Sequence, residues 1–134
     1  MEKPGTKKYD ILVRTRLFSI EIIKFCRILN NSGVEYYLRD QLGRSGTSVG
    51  ANLYEGKYSS SEREFCRYYQ ISLKSAYETL YWLEIIDECY MFDKIIEIKS
   101  ELKEIIKIVS TIILNIKKRI RANGTIKSKI VKAD

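Results

Sequence analysis

Apolar residues recur along this chain at steps of three and four, the period of an α-helix, and the pattern resets wherever turn-forming residues cluster. Phe18, Ile22, Phe25 and Leu29 stand at i, i+4, i+7 and i+11 and so share one face of a first helix. Asp10 is placed to cap its start, and Asn31, Ser32 and Gly33 end it by turn chemistry. A second helix is expected from about Glu35 to Lys57, with Leu38, Leu42, Ser45, Val49 and Leu53 as one stripe. Ser59 and Ser60 break it, and Ser61 with Glu64 makes a capping box that opens a third. That helix should reach Tyr90, with Phe65, Tyr69, Ser72, Ala76, Leu80 and Leu83 on one face. The fourth begins at Asp93 and carries the most regular repeat: Ile95, Ile98, Leu102, Ile105, Val109, Ile112 and Ile116, with Ile106, Ile113 and Ile120 as a further column. Asn123 and Gly124 are expected to stop it.

Four amphipathic helices joined by short connections predict an all-α, antiparallel up-down-up-down four-helix bundle. The chain then divides into a polar arm over residues 1–9, the bundle over 10–122 and a basic tail over 123–134. The apolar arc of the fourth helix is wider than one bundle seam requires. Its surplus predicts a homo-oligomer interface, against the plainer reading that β-branched residues fill a broad core.

A second pattern is superposed on the second helix. Gln41, Arg44, Ser48, Asn52 and Glu55 fall at steps of three and four, forming an ordered polar row that a simple surface helix does not need. Gly43, Gly46, Gly50 and Gly56 each cost about 1 kcal/mol of helix propensity relative to alanine, so something must offset them. The missing side chains would let another backbone approach closely, or the helix would kink near residues 43–46; the pattern leaves both open.

The row Gln41, Arg44, Ser48, Asn52, Glu55 and Gly56, followed by Glu64 and Phe65 and then Ser75 and Glu78, resembles the signature of the bacterial four-helix-bundle proteins encoded in 23S ribosomal RNA intervening sequences. The similarity spans roughly residues 18–116 and is densest between Gln41 and Glu84. The resemblance implies a homopentameric barrel of up-down bundles, related in fold to the accessory protein of diversity-generating retroelements. It suggests nucleic-acid binding and no enzymatic activity. This chain departs from the family pattern at Leu53 and Tyr54, at Ser72 and at Lys74, where smaller residues are usual, and those departures bear on helix packing and subunit number.

Gln41, Arg44, Ser48, Asn52, Glu55, Ser75 and Glu78 are read as a structural polar network and not as a small-molecule site. Arg44 is expected to pair with Glu55, Glu78 or an acid of a neighbouring subunit, because a buried arginine is tolerated only beside a carboxylate. The tyrosines Tyr54, Tyr58, Tyr68, Tyr69, Tyr77 and Tyr81, near Lys57, Arg63, Arg67 and Lys74, are read as interface residues in preference to base-stacking ones.

Composition narrows the chemistry. At 134 residues, with 45% hydrophobic and 31% charged residues, the sequence has the make-up of one folded domain. It contains no histidine, which removes Ser/His/Asp and Cys/His catalysis and the commonest nitrogen ligand for zinc. Cys26, Cys66 and Cys89 are odd in number and widely spaced, as buried thiols in a reducing compartment would be. A polar N-terminus and no long apolar run point to a cytoplasmic protein with no membrane contact, and no cofactor, metal or catalytic residue is expected.

The net charge of +7 is unevenly placed. Lys117, Lys118, Arg119, Arg121, Lys127, Lys129 and Lys132 against Asp134 give the end of the chain +6, residues 1–16 carry +3, and the middle is −2. These seven cations are the candidate nucleic-acid-binding residues, because lysine and arginine at phosphates release counterions without reading sequence. Favourable placement of cations near a helix C-terminus would produce a similar run. Function is therefore expected to be that of an oligomeric nucleic-acid-binding module, RNA favoured. The alternative is a protein-interaction or scaffolding module, such as a partner of a reverse transcriptase.

Overall fold

Four helices make up the fold in a computed structural model that describes residues 10–133, with side chains described as far as Gly124. They are α1 (Ile11–Asn31), α2 (Tyr36–Gly56), α3 (Glu62–Tyr90) and α4 (Lys94–Ala133), and no strand occurs among the described residues. The expected polar arm of residues 1–9 lies outside the described residues, as does Asp134.

Local chemistry sets the boundaries. The Asp10 side chain accepts from the Val13 N–H and caps α1. At the other end Gly33 adopts φ +76°, Val34 N–H donates to Leu29 O and Gly33 N–H to Asn30 O. Those are the two bonds of a Schellman motif, and Val34 and Leu29 bury together beneath it. Ser61 Oγ accepts from the Glu64 N–H, but the Glu64 carboxylate reaches Ser60 N and Oγ instead of the Ser61 N–H, so the expected box forms with its return arm one residue early. The α3–α4 turn uses Met91 in the left-handed region at φ 57°, with Phe92 folded edge-on against Phe25.

Each helix touches its two neighbours in chain order, and α4 closes against α1. Phe18, Ile22, Phe25 and Leu29 of α1, Leu42, Val49 and Leu53 of α2, Leu83 and Ile86 of α3, and Ile95, Leu102, Ile105 and Val109 of α4 fill the centre. Contacts run in opposite chain order across the seams: Gly43 with Cys26, Gly46 with Ile22, Gly50 with Thr15. Ser48 with Ser75 and Gly56 with Tyr68 behave likewise, as do Arg14 with Glu101 and Glu21 with Lys94.

Close approach explains Gly46 and Gly50 of α2, while Gly43 has only an ordinary contact with Cys26. α2 runs as one helix through residues 43–50, and a methyl group at Gly50 would lie 3.0 Å from the Thr15 carbonyl oxygen. At Gly46 it would lie 2.9 Å from two carbons of the fully buried Ile22. Ser72 of α3, also fully buried, donates to Val49 O across the opposite seam at 2.7 Å. Of the departures from the family pattern, Leu53 is completely buried and Ser72 makes this inter-helix bond, while Tyr54 and Lys74 point outward.

Two expectations are corrected. α4 does not stop at Asn123 and Gly124 but continues to Ala133, because Gly124 sits in open space without a positive φ and its propensity cost of about 1 kcal/mol does not by itself end a 40-residue helix. The surplus apolar surface also lies elsewhere than expected. α4 packs against both α3 and α1, so Ile106, Ile108, Ile112 and Ile120 are partly covered within the protomer, leaving Ile96 and Leu114 exposed. The outer face of α1 instead exposes Val13, Leu17, Ile20, Ile23 and Ile28.

Gly46→Ala should destabilise the protein by about 1–3 kcal/mol despite its better helix propensity, because the added methyl meets a core isoleucine. Gly124→Ala, with nothing within 4 Å, should raise helix content with no such loss. Urea unfolding followed by circular dichroism measures both; equal stability of Gly46→Ala and the wild type would contradict the packing account.

Candidate nucleic-acid interface

The cationic end of the molecule is built by helix length. At about 1.5 Å per residue the 40 residues of α4 span about 60 Å, against about 44 Å for the 29 residues of α3. Arg119 Nε meets Glu62, the first residue of α3, at 3.5 Å, so the helical backbone of residues 122–133 projects beyond the bundle for about 18 Å. Lys117, Lys118, Arg119 and Arg121 occupy the last turns still alongside α3, all exposed. Lys127, Lys129 and Lys132 lie on the projecting helix, and their side chains fall outside the described ones.

Between α3 and this end of α4 a cleft of about 350 Å³ is lined by Arg63, Cys66, Gln70, Lys117, Ile120 and Arg121. Cys66 is buried and Ile120 half-buried, so the floor is apolar and the rim cationic. Composition alone had no way to bring Arg63 and Gln70 here; the i, i+4 spacing of Lys117 and Arg121, matched to the α3 start at Ser61, was the available signal. Two larger grooves follow the α1–α2 seam: one of about 810 Å³ with Val13, Arg16, Ile23, Tyr54 and Lys57 in its walls, and one of about 520 Å³ with Cys26, Arg27, Arg39, Asp40 and Arg44.

The polar row divides. Asn52 Nδ2 donates to Ser48 O at 2.8 Å and Ser48 Oγ at 2.9 Å, and Ser75 Oγ reaches Ser48 Oγ at 3.1 Å, so these three form one chain across the α2–α3 seam. Gln41, Glu55 and Glu78 are exposed and stand apart from it. Arg44 is not buried: its side chain is 74% exposed and pairs with Asp40, one turn earlier, at 3.0 Å, not with Glu55 or Glu78. The half-buried acid one turn away satisfies the guanidinium without any inter-helix partner.

The ion pair with the least exposed arginine was not apparent from the sequence. Arg14 donates through Nε and a terminal nitrogen to both oxygens of Glu101 at 2.9 and 2.6 Å, clamping α1 to α4, and this bond holds the Arg14 pKa above its ordinary value. At the far end Tyr90 donates to the Glu35 carboxylate, which pushes the Tyr90 hydroxyl up to about 12 and holds Glu35 below its usual range. Burial pushes the Cys26 thiol and the Tyr69 hydroxyl up. Such shifts stabilise existing protonation states and prepare no general base or thiolate nucleophile.

The tyrosines split between roles. Tyr69 is buried and stacked on Phe65 at 4.2 Å, whereas Tyr54, Tyr58, Tyr77 and Tyr81 are exposed. Lys57 lies over the Tyr58 ring and Arg67 over the Tyr68 ring.

Residues 7–111 match the profile of the 23S rRNA-intervening sequence protein family, and the chain belongs to that family. Among solved structures it is similar to a protein of unknown function from the S23 ribosomal protein family of Bacteroides thetaiotaomicron. The two share 31% identity and a TM-score of 0.74 over 77% of this chain and 97% of that one. No curated protein matches the chain.

Arg44→Met should change stability by less than about 0.5 kcal/mol, as expected for a surface i, i+4 pair. Ser48→Ala, which removes the hydroxyl shared by Asn52 and Ser75, should cost about 1 kcal/mol. Thermal or urea unfolding of the two variants should therefore rank Ser48→Ala below Arg44→Met, and the reverse order would show that the row acts through its arginine.

Proposed function

From that family membership and the shape of the basic end, we propose that this chain is a homo-oligomeric, non-enzymatic nucleic-acid-binding module, RNA favoured, whose phosphate contacts come from the end of α4. The observation that carries the proposal is the continuity of α4. Cations expected on a loose tail instead lie on, or are carried by, a helix that runs on past the bundle, so their spacing is fixed before any partner arrives. Pre-ordering of this kind lowers the entropy lost on binding.

In this reading the four helices alternate in direction, as the reversed chain order of their contacts supports. Assembly uses the exposed stripe Val13, Leu17, Ile20 and Ile28 of α1, and a pentameric ring is the form the resemblance favours. Such a ring would repeat the cationic end around its axis, raising avidity through high effective concentration. The same stripe interleaves with Arg16, Lys24 and Arg27, which keeps a protein-interaction role as the second reading. Binding in place of catalysis fits a chain without histidine. No described helix is long and apolar enough to cross a membrane.

Affinity for a random single-stranded RNA should fall linearly with log salt, with a slope of about −0.7 for each phosphate contacted. Lys118→Gln with Arg119→Gln should flatten that slope, as read by fluorescence anisotropy between low and physiological salt; a flat profile for the wild type would defeat the nucleic-acid reading and leave the protein-interaction one.

Leu17→Glu with Ile20→Glu should retain the helical circular dichroism of the protomer while reducing the native mass measured by light scattering. Unchanged mass would move the interface away from α1.

A further inference from the structure

We propose that the α3–α4 cleft is the seat of a phosphodiester in single-stranded nucleic acid, held by Arg63, Lys117 and Arg121 with Gln70 beside them. The inference rests on the nucleic-acid reading above and goes further by naming the site, two residues outside α4 and the strand class.

Three features carry it. First, the cations converge from two helices: Arg63 from the first turn of α3 faces Lys117 and Arg121, one turn apart on α4. Arg63 and Lys117 bring like charges together across the seam, an arrangement that an anion relieves. Second, the nearby acids of α3 are engaged elsewhere: Glu62 with Arg119, and Glu64 with Ser60 N and Oγ. Among the described residues neither Arg63 nor Lys117 takes part in an ion pair, and the positive end of the α3 dipole lies at the same edge.

Third, the cleft is concave and its floor is apolar. Cys66 and Ile120 underlie the cationic rim, and about 350 Å³ is room for one sugar-phosphate unit. A flexible single strand can bend its backbone into such a cleft and lay a sugar or base edge on Ile120. Gln70, which offers both a donor and an acceptor, is placed for the 2′-hydroxyl or a base edge. Guanidinium groups supply the forked donors that suit phosphate oxygens.

The test uses the full chain and a fluorescein-labelled 12-nucleotide oligouridine, with an RNA duplex and tripolyphosphate as competitors. Arg63→Gln should weaken oligouridine binding about tenfold near physiological salt and reduce the salt slope by about 0.7. Lys103→Gln removes the same charge from α4 well away from the cleft and should stay within about twofold of the wild type. Arg63→Lys should recover part of the loss, and unchanged thermal unfolding of each variant shows that the fold is intact.

If the wild type binds oligouridine and Arg63→Gln behaves like Lys103→Gln, the cleft is overturned while the basic-end reading stands. If the wild type binds no oligouridine, both fall. Displacement by tripolyphosphate at concentrations equal to those of unlabelled oligouridine would make the site one for free polyphosphate, and equal competition by the duplex would remove the single-strand assignment; either result overturns the proposal as stated.

Discussion

The distance between α1 and α2 is the constraint on which the rest of the bundle depends. A methyl group added at Gly50 would stand 3.0 Å from the Thr15 carbonyl oxygen and one at Gly46 2.9 Å from Ile22, so α2 has no slack for a side chain at those two positions. A helix carrying such glycines loses about 1 kcal/mol of propensity at each, so it is stable only where tertiary contacts return more than that. Here they do, because the approach lets Ile22, Phe18 and Phe25 pack fully into the centre. The other edge of α2 is tied by small hydroxyls, with Ser72 bonded to Val49 O and Ser75 to Ser48 Oγ. A helix seated this closely on both sides leaves its neighbours' larger residues two destinations: the centre, or the outer surface. The exposed α1 stripe is the second destination.

What sequence could and could not reveal follows from the range of each interaction. Asp10, Gly33 and Ser61 act on groups within a few residues, so their caps leave a local imprint and the starts of α1 and α3 and the end of α1 were legible. The buried stripes of α1 and α2 were legible for the same reason, since helical period is a local property. Arg14 with Glu101 and Tyr90 with Glu35 join residues 87 and 55 positions apart, and no spacing rule connects them. Gly124 misled because a glycine permits a helix end without imposing one; it lacks the left-handed turn that Gly33 adopts, and nothing packs near it to favour that turn.

The polar row shows the same limit within one helix. Periodicity put Arg44, Ser48, Asn52 and Glu55 on a common stripe, but a stripe spans an arc of many degrees and the seam with α3 covers only part of it. Short side chains near the seam, Ser48 and Asn52, find partners across or along it. The long ones at its borders reach solvent, where Arg44 settles on Asp40. Side-chain length, and not position alone, decided which members joined the network.

The separation of surfaces bears on how the proposed assembly and the proposed ligand site would coexist. The apolar stripe belongs to α1, whose neighbours are α2 and α4; the cationic cleft lies between α3 and the part of α4 next to Glu62. α1 reaches α4 near Lys94 and Glu101, well before Lys117, so an interface on α1 need not cover the cations. A charged cluster placed inside an oligomer interface would have to shed its hydration on association, and the mutual repulsion of its copies would oppose closure. In the proposed assembly, Lys117, Lys118, Arg119 and Arg121, which are exposed, would stay open to solvent while the apolar faces met, and each added subunit would bring another cationic end at no desolvation cost to the last.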